Sequence, residues 1–191
     1  MINKKMFQKL RKAYATHAST RGLIIRESNI ALHKAKQAIF SLHRNQINEA
    51  EKILTEVEKI LTKLQDPLYK APDLKYTGAY KAALEEYVEA KLFWQALKSG
   101  KISQISEIKP GFDDYLAGIC DLTGELVRKI VLLATAGKVK KAQELKELIA
   151  DIVGELIKLD LIGYLRHKYD EAKRNLKKAE EILYELRIRW K

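Results

Sequence analysis

Apolar residues recur every three to four positions through nearly the whole chain, and the few helix breakers fall between these stretches. Six helical patterns result, seven at most. The first covers about residues 3–44, with a bend expected near Gly22; in its second half Ile24, Ala31, Ala35, Ala38 and Leu42 share one face. The second, about 46–65, carries a wide stripe of Ala50, Ile53, Leu54, Val57, Ile60, Leu61 and Leu64. Pro67 and Pro72 then bracket a loop. The third runs about 74–98, the fourth about 111–136 and the fifth about 138–159. The sixth, about 162–190, repeats Leu165, Tyr169, Ala172, Leu176, Ala179, Leu183, Leu186 and Trp190 at spacings of four and three, the mark of a helix packed along a near-parallel seam. No stretch reads as a strand. The expectation is an all-α bundle forming one domain over residues 1–191.

Composition adds a compartment and a partner. With 47% hydrophobic and 32% charged residues the chain reads as a globular one. Its one cysteine, Cys120, excludes an intrachain disulfide, fits a reducing cytoplasm, and reads as a small buried residue rather than a nucleophile. No apolar run is long enough to span a membrane, and no signal core follows the charged N-terminus. The formal charge is +11, and residues 1–44 concentrate it, with ten Lys/Arg against the single acid Glu27. That asymmetry suits a polyanionic partner, nucleic acid first and an anionic membrane second. Arg26, Asn29, His33 and Lys36 share a face opposite the Ile24/Ala31/Ala35/Leu42 stripe, and with Arg21 and Lys34 they are the candidate phosphate contacts.

The candidate chemistry is acidic. Glu86 and Glu89 are three apart on the third helix, on the face opposite Tyr80, Leu84, Tyr87 and Trp94. Asp121 and Glu125 are four apart on the fourth, along a face with Asp114, Gly118 and Arg128. If the two helices pack side by side, four carboxylates converge, and such a cluster repels itself unless a cation sits in it. Oxygen-only donors favour Mg2+ or Mn2+, which can polarise a phosphodiester and activate water. Spacing alone also fits a solvated acidic surface. Other chemistries lack support: the four histidines form no i, i+4 pair, no strand-turn-helix elbow frames a serine, and Ala134-Thr135-Ala136-Gly137-Lys138 is only a fragment of a phosphate loop.

Tyr115-Leu116-Ala117-Gly118 followed by Asp121-Leu122-Thr123-Gly124-Glu125-Leu126-Val127-Arg128 resembles the central signature of the translin family. Arg166-His167-Lys168-Tyr169-Asp170 through Glu181-Ile182-Leu183-Tyr184-Glu185-Leu186-Arg187-Ile188-Arg189 is similar to that family's last helix, and Ile39-Phe40-Ser41-Leu42-His43-Arg44 to the end of its first. The resemblance implies a helical subunit of a hollow homo-oligomer, typically an octamer, that binds RNA or single-stranded DNA inside. Within the family, Glu-Tyr-Val-Glu at 86–89 and Asp-Leu-Thr-Gly-Glu at 121–125 are similar to the translin-associated factor X branch, which cleaves RNA with a divalent metal. Carried over residue by residue, this makes Glu86, Glu89 and Asp121 the catalytic, metal-binding carboxylates, with Glu125 in support and Lys36 at the scissile phosphate. The chain lacks that branch's insertion between helices three and four, so the resemblance implies a compact prokaryotic form that assembles with itself. The function expected is a Mg2+- or Mn2+-dependent endoribonuclease acting on single-stranded or unpaired RNA. The rival is a non-catalytic oligomer that holds RNA or single-stranded DNA.

Overall fold

A computed structural model describes residues 2–189. Six α-helices and one short 3-10 turn account for the regular structure, in the order α1 Lys4–His43, α2 Ile47–Lys70, a 3-10 turn Pro72–Tyr76, α3 Gly78–Ser99, α4 Phe112–Thr135, α5 Val139–Leu156 and α6 Gly163–Arg189; the described residues hold no strand. α1 packs on α2 and α3, α3 on α4, and α4 on both α5 and α6. The main core joins the small residues Ala31, Ala35 and Ala38 of α1 to Leu54 and Leu61 of α2, Tyr87 and Phe93 of α3, Leu122 and Leu126 of α4, and Ile149 of α5. The helical periods read from the sequence therefore locate the buried faces. On α6 the seam is covered at Tyr169, Ala172 and Ala179, while its expected end, Trp190, lies outside the described residues.

Three boundaries differ from the sequence expectation: α3 begins at Gly78 and not near 74, where the 3-10 turn Pro72–Tyr76 stands, and α2 and α5 end elsewhere than expected. α2 does not stop before Pro67 but continues through it to Lys70. Proline removes one helical hydrogen bond and crowds the preceding turn. Burial of Leu68 against Ile24, Leu64 and Leu74 holds the extra turn in place, so tertiary packing outweighs the breaker. α5 ends at Leu156, not near 159. α1 passes through Gly22 as one helix. Its core-facing side, however, is covered only from Ile24 onward; residues 4–19 are exposed on every side and project beyond the bundle.

The α3–α4 crossing fixes the acidic region. An added Cβ on Gly118 would lie 2.7 Å from the Glu85 carbonyl oxygen and 2.7 Å from Val88 Cβ. Only glycine lets the two backbones approach this closely. Lys129, buried on α4, donates from Nζ to the carbonyls of Leu42 (2.9 Å) and His43 (3.2 Å) and to Asn45 Oδ1 (2.9 Å). It thereby satisfies the end of α1 and ties that helix to α4.

Candidate acidic site and nucleic-acid interface

Close approach of α3 and α4 brings five carboxylates to one side of the bundle, and four of them carry a cationic partner. Lys168 Nζ, from α6, stands 2.5 Å from Glu85 Oε1 and 2.5 Å from Asp121 Oδ2. The Tyr164 hydroxyl donates to Glu85 Oε1 at 2.7 Å. Lys36 Nζ, from α1, lies 3.7 Å from Glu86 Oε2. His43, buried at the end of α1, donates from Nε2 to Glu125, whose other neighbour is Arg128 at 3.7 Å. Glu89 is the exception: it is only 8% exposed and forms no hydrogen bond or ion pair among the described residues.

The electrostatics follow this arrangement. Burial, then repulsion from Glu86, Asp121 and Glu125, pushes the Glu89 carboxyl up to about 9, with Lys168 opposing. Glu86 is raised by burial and by Glu125 and Glu85, against the pull of Lys36. Asp121 is raised by burial despite Lys168. Burial also acts to raise Glu85, but its bonds to Lys168 and Tyr164 outweigh that and hold it low. The mutual influence of Glu86, Glu89, Asp121 and Glu125 means that the four carboxylates named from the sequence are brought together. Asp114, further up the same face of α4, is paired with Lys81 at 3.3 Å. Cys120 is 2% exposed, and burial pushes its thiol up to about 12, which leaves no thiolate for nucleophilic chemistry.

Sequence reasoning did not single out Glu85, Lys168 or His43. Glu85 and Glu89 are four apart, a spacing as good as that of Glu86 and Glu89, and so carried a signal. Lys168 and His43 lie within the segments that resemble the family's last and first helices, but no short-range spacing ties them to the acidic residues.

The donor set suits a hard divalent cation: every carboxylate contributes oxygen alone, and the buried Glu89 lacks any compensating charge. The side chains are not gathered for it. Among the described residues no three His, Cys, Asp or Glu groups stand close enough to hold a metal ion. Lys168 and His43 hold Asp121 and Glu125 by direct bonds.

The basic residues of α1 divide. Arg26, Asn29, His33 and Lys34 line one shallow depression, with Lys34 also paired to Glu56 of α2 at 2.6 Å and Arg26 to Glu27 at 3.0 Å. His33 Nε2 lies 3.2 Å from Gln37 Nε2. Arg21 is exposed and in no ion pair among the described residues. Lys36 leaves this group and turns toward Glu86.

The family model for the translin family matches residues 19–190. The chain belongs to the translin family. Similar relatives fall in both of its branches. The chain is 29% identical to a translin-associated protein X homolog of Schizosaccharomyces pombe over 122 residues, 58% of this chain and 52% of that protein. It is 36% identical to Gallus gallus translin over 78 residues, 40% of this chain and 34% of that one. The chain thus spans about half the length of the first relative and a third of the second. Two solved structures share the fold: apo-NeC3PO, at TM-score 0.87 and 24% identity over 97% of this chain and 98% of that one, and AfC3PO in a complex with duplex RNA, at TM-score 0.85 and 22% identity over 96% and 97%. As the sequence led one to expect, the chain has an all-α translin-type fold. No helix among the described residues is long and apolar enough to cross a membrane.

Proposed function

We propose that this translin-family subunit forms a cytoplasmic homo-oligomer, an octamer, that binds RNA and cuts it in single-stranded or unpaired segments with Mg2+ or Mn2+. The observation that carries this reading is the placing of Glu86, Glu89, Asp121 and Glu125 on one side of the α3–α4 crossing, near enough for the other three to act on Glu89, with Lys36 beside Glu86. The AfC3PO structure with duplex RNA supports a nucleic-acid ligand for the fold.

Glu86, Glu89 and Asp121 would hold the metal, with Glu125 in support. A divalent ion there would supply an activated water and neutralise charge on the phosphodiester. The chain's own side chains do the rest. Lys36, 58% exposed at its side chain, is free to turn from Glu86 to a phosphate oxygen. His43 orients Glu125 from a buried position. Arg21, Arg26, His33 and Lys34 grip the backbone and set register, without reading sequence.

The second reading, a binding oligomer that does not cut RNA or single-stranded DNA, draws on one observation. Lys168 neutralises Asp121 and Glu85 from within, so the acidic site is in part balanced without metal. Labelled single-stranded RNA incubated with Mg2+ or with EDTA separates the two. The proposal expects cleavage only with Mg2+, and a loss of about a hundredfold in Glu89→Gln with RNA affinity kept, the order seen when an electrostatic stabiliser is removed. Full cleavage by Glu89→Gln, or cleavage in EDTA, would transfer the function to the binding reading.

A further inference from the structure

The face of α1 that is buried from Ile24 onward does not end where the bundle ends. At 100° per residue, Met6 and Leu10 continue the line of Ile24, Ala31 and Leu42, and Tyr14 and Phe7 flank it about a quarter turn round the helix. They are 46%, 56%, 76% and 43% exposed. On the side of Lys9, Lys12, Ala13 and Thr16 the arm faces Asp66, Pro67 and Lys70 of α2 across an open cleft, and His17 bonds to Asp73 at 2.7 Å, while Met6, Leu10 and Tyr14 stay exposed. The remainder of the arm is basic: Lys4, Lys5, Lys9, Arg11 and Lys12 surround the stripe, and none is in an ion pair among the described residues. A helix with an apolar stripe left uncovered by its own chain is a docking element.

Elsewhere the molecule carries a matching groove. Between α4 and α5, a cleft of about 860 Å³ has a floor of Leu116, Ile119, Leu148 and Leu156 and a rim in which Glu144, Glu147, Asp151 and Glu155 outnumber Lys101 and Lys158. Glu147 and Glu155 have lysine neighbours, at 3.2 Å (Lys146) and 2.6 Å (Lys158). Glu144 and Asp151 are in no ion pair among the described residues. The rim runs along α5 for roughly 16 Å and the apolar stripe of the arm for roughly 12 Å, at 1.5 Å per residue. Length, hydrophobic character and sign of charge are complementary, whereas RNA would be repelled by the excess of acids on this rim. α1 is continuous, so the arm cannot fold back onto its own groove.

The geometry points to an interface in which the N-terminal arm of α1 in one copy docks into the α4–α5 groove of a second copy. This inference rests on the homo-oligomer reading above and names the surfaces that build it. Because the two patches differ, two copies can exchange arms about a two-fold axis or each copy can pass its arm to the next around a ring, and either arrangement closes the assembly.

The test uses the full chain. Leu10→Asp/Tyr14→Asp alters only exposed side chains, and light scattering should show the concentration at half-assembly rising at least about tenfold, the effect of losing one well-packed anchor. Lys9→Glu/Arg11→Glu should also weaken assembly, and mixing that variant with Glu144→Lys/Asp151→Lys should restore it. A separate pair, Leu10→Cys in one chain and Leu148→Cys in the other, should form a disulfide between the two chains on oxidation, the native Cys120 being buried. An oligomeric wild type with unchanged assembly in Leu10→Asp/Tyr14→Asp would overturn this interface and leave the oligomer reading intact. A monomeric wild type at micromolar concentration would overturn both. Unchanged assembly with lost RNA affinity would assign the arm to nucleic acid and sink the proposal.

Discussion

Replacing Gly118 by alanine tests whether the α3–α4 crossing sets the acidic site. The new methyl carbon would stand 2.7 Å from the Glu85 carbonyl oxygen, 2.7 Å from Val88 Cβ and 2.8 Å from Val88 Cγ1. Carbon atoms pack best at about 3.5–4.0 Å, so the helices must part by roughly 1 Å. Two of the three obstacles, a backbone oxygen and a Cβ, have no torsion by which to turn aside. Overpacking of this kind costs about 1–3 kcal/mol, here toward the upper end. Alanine's better helix propensity returns about 1 kcal/mol. The net expectation is a loss near 2 kcal/mol, and at about 2–4 °C per kcal/mol for a chain of this size the Tm falls by roughly 4–8 °C. Gly22 supplies the control, since its added Cβ meets nothing within 4 Å and the same change there gains the propensity without the clash. Thermal unfolding followed by circular dichroism on both variants decides. If Gly118→Ala is as stable as Gly22→Ala, the crossing is looser than described and the carboxylates are not set by it.

Three further outcomes follow from the same geometry. Glu89 has a folded-state value near 9, above its ordinary 4.5, so its neutral form contributes stability that is complete below about pH 4.5 and lost as pH rises toward 9; Glu89→Gln should escape that loss, and denaturation midpoints of the two proteins that stay parallel from pH 5 to 9 would refute it. Lys129→Met strands the carbonyls of Leu42 and His43 and should cost about 1–3 kcal/mol in urea unfolding; a neutral result would mean that water replaces the lysine. Arg26→Ala/Lys36→Ala should weaken RNA binding across sequences and flatten its salt dependence by about two phosphate contacts, and an unaltered salt slope would place the RNA elsewhere.

How far the sequence could be read varied with the range of the interaction. Periodicity located the helices and their buried faces, because the side-chain period within a helix is local: Ile24, Ala31, Ala35 and Leu42 are each fully buried. The extension of α2 beyond Pro67 was not legible, since it depends on Leu68 joining a cluster with Ile24, a residue far away in the chain. Within the site, Glu86, Glu89, Asp121 and Glu125 could be named from spacing and from the family pattern. What could not be read was their compensation. Lys168 lies 47 residues from Asp121 and His43 lies 82 from Glu125, and no short-range pattern links such pairs. Lys34, counted with the RNA contacts by its charge, also bonds to Glu56.

That compensation decides where a metal would matter most. Each of α1, α4 and α6 supplies a positive group to the cluster: Lys36 to Glu86, Arg128 to Glu125, and Lys168 to Glu85 and Asp121. A buried carboxylate with a partner is held in its charged form; one without a partner takes up a proton instead. Glu89 is the group left in the second condition, and it sits under the influence of three of the others. The protonated Glu89 is therefore the acidic cluster's own substitute for a cation. A divalent ion would displace that proton, and the binding step should release it: titration of Mn2+ into the protein at pH 7 in weak buffer should acidify the solution, and the Glu89→Gln variant should not. Proton release that is equal in the two proteins would place the exchangeable proton on another group and remove Glu89 from the centre of the site.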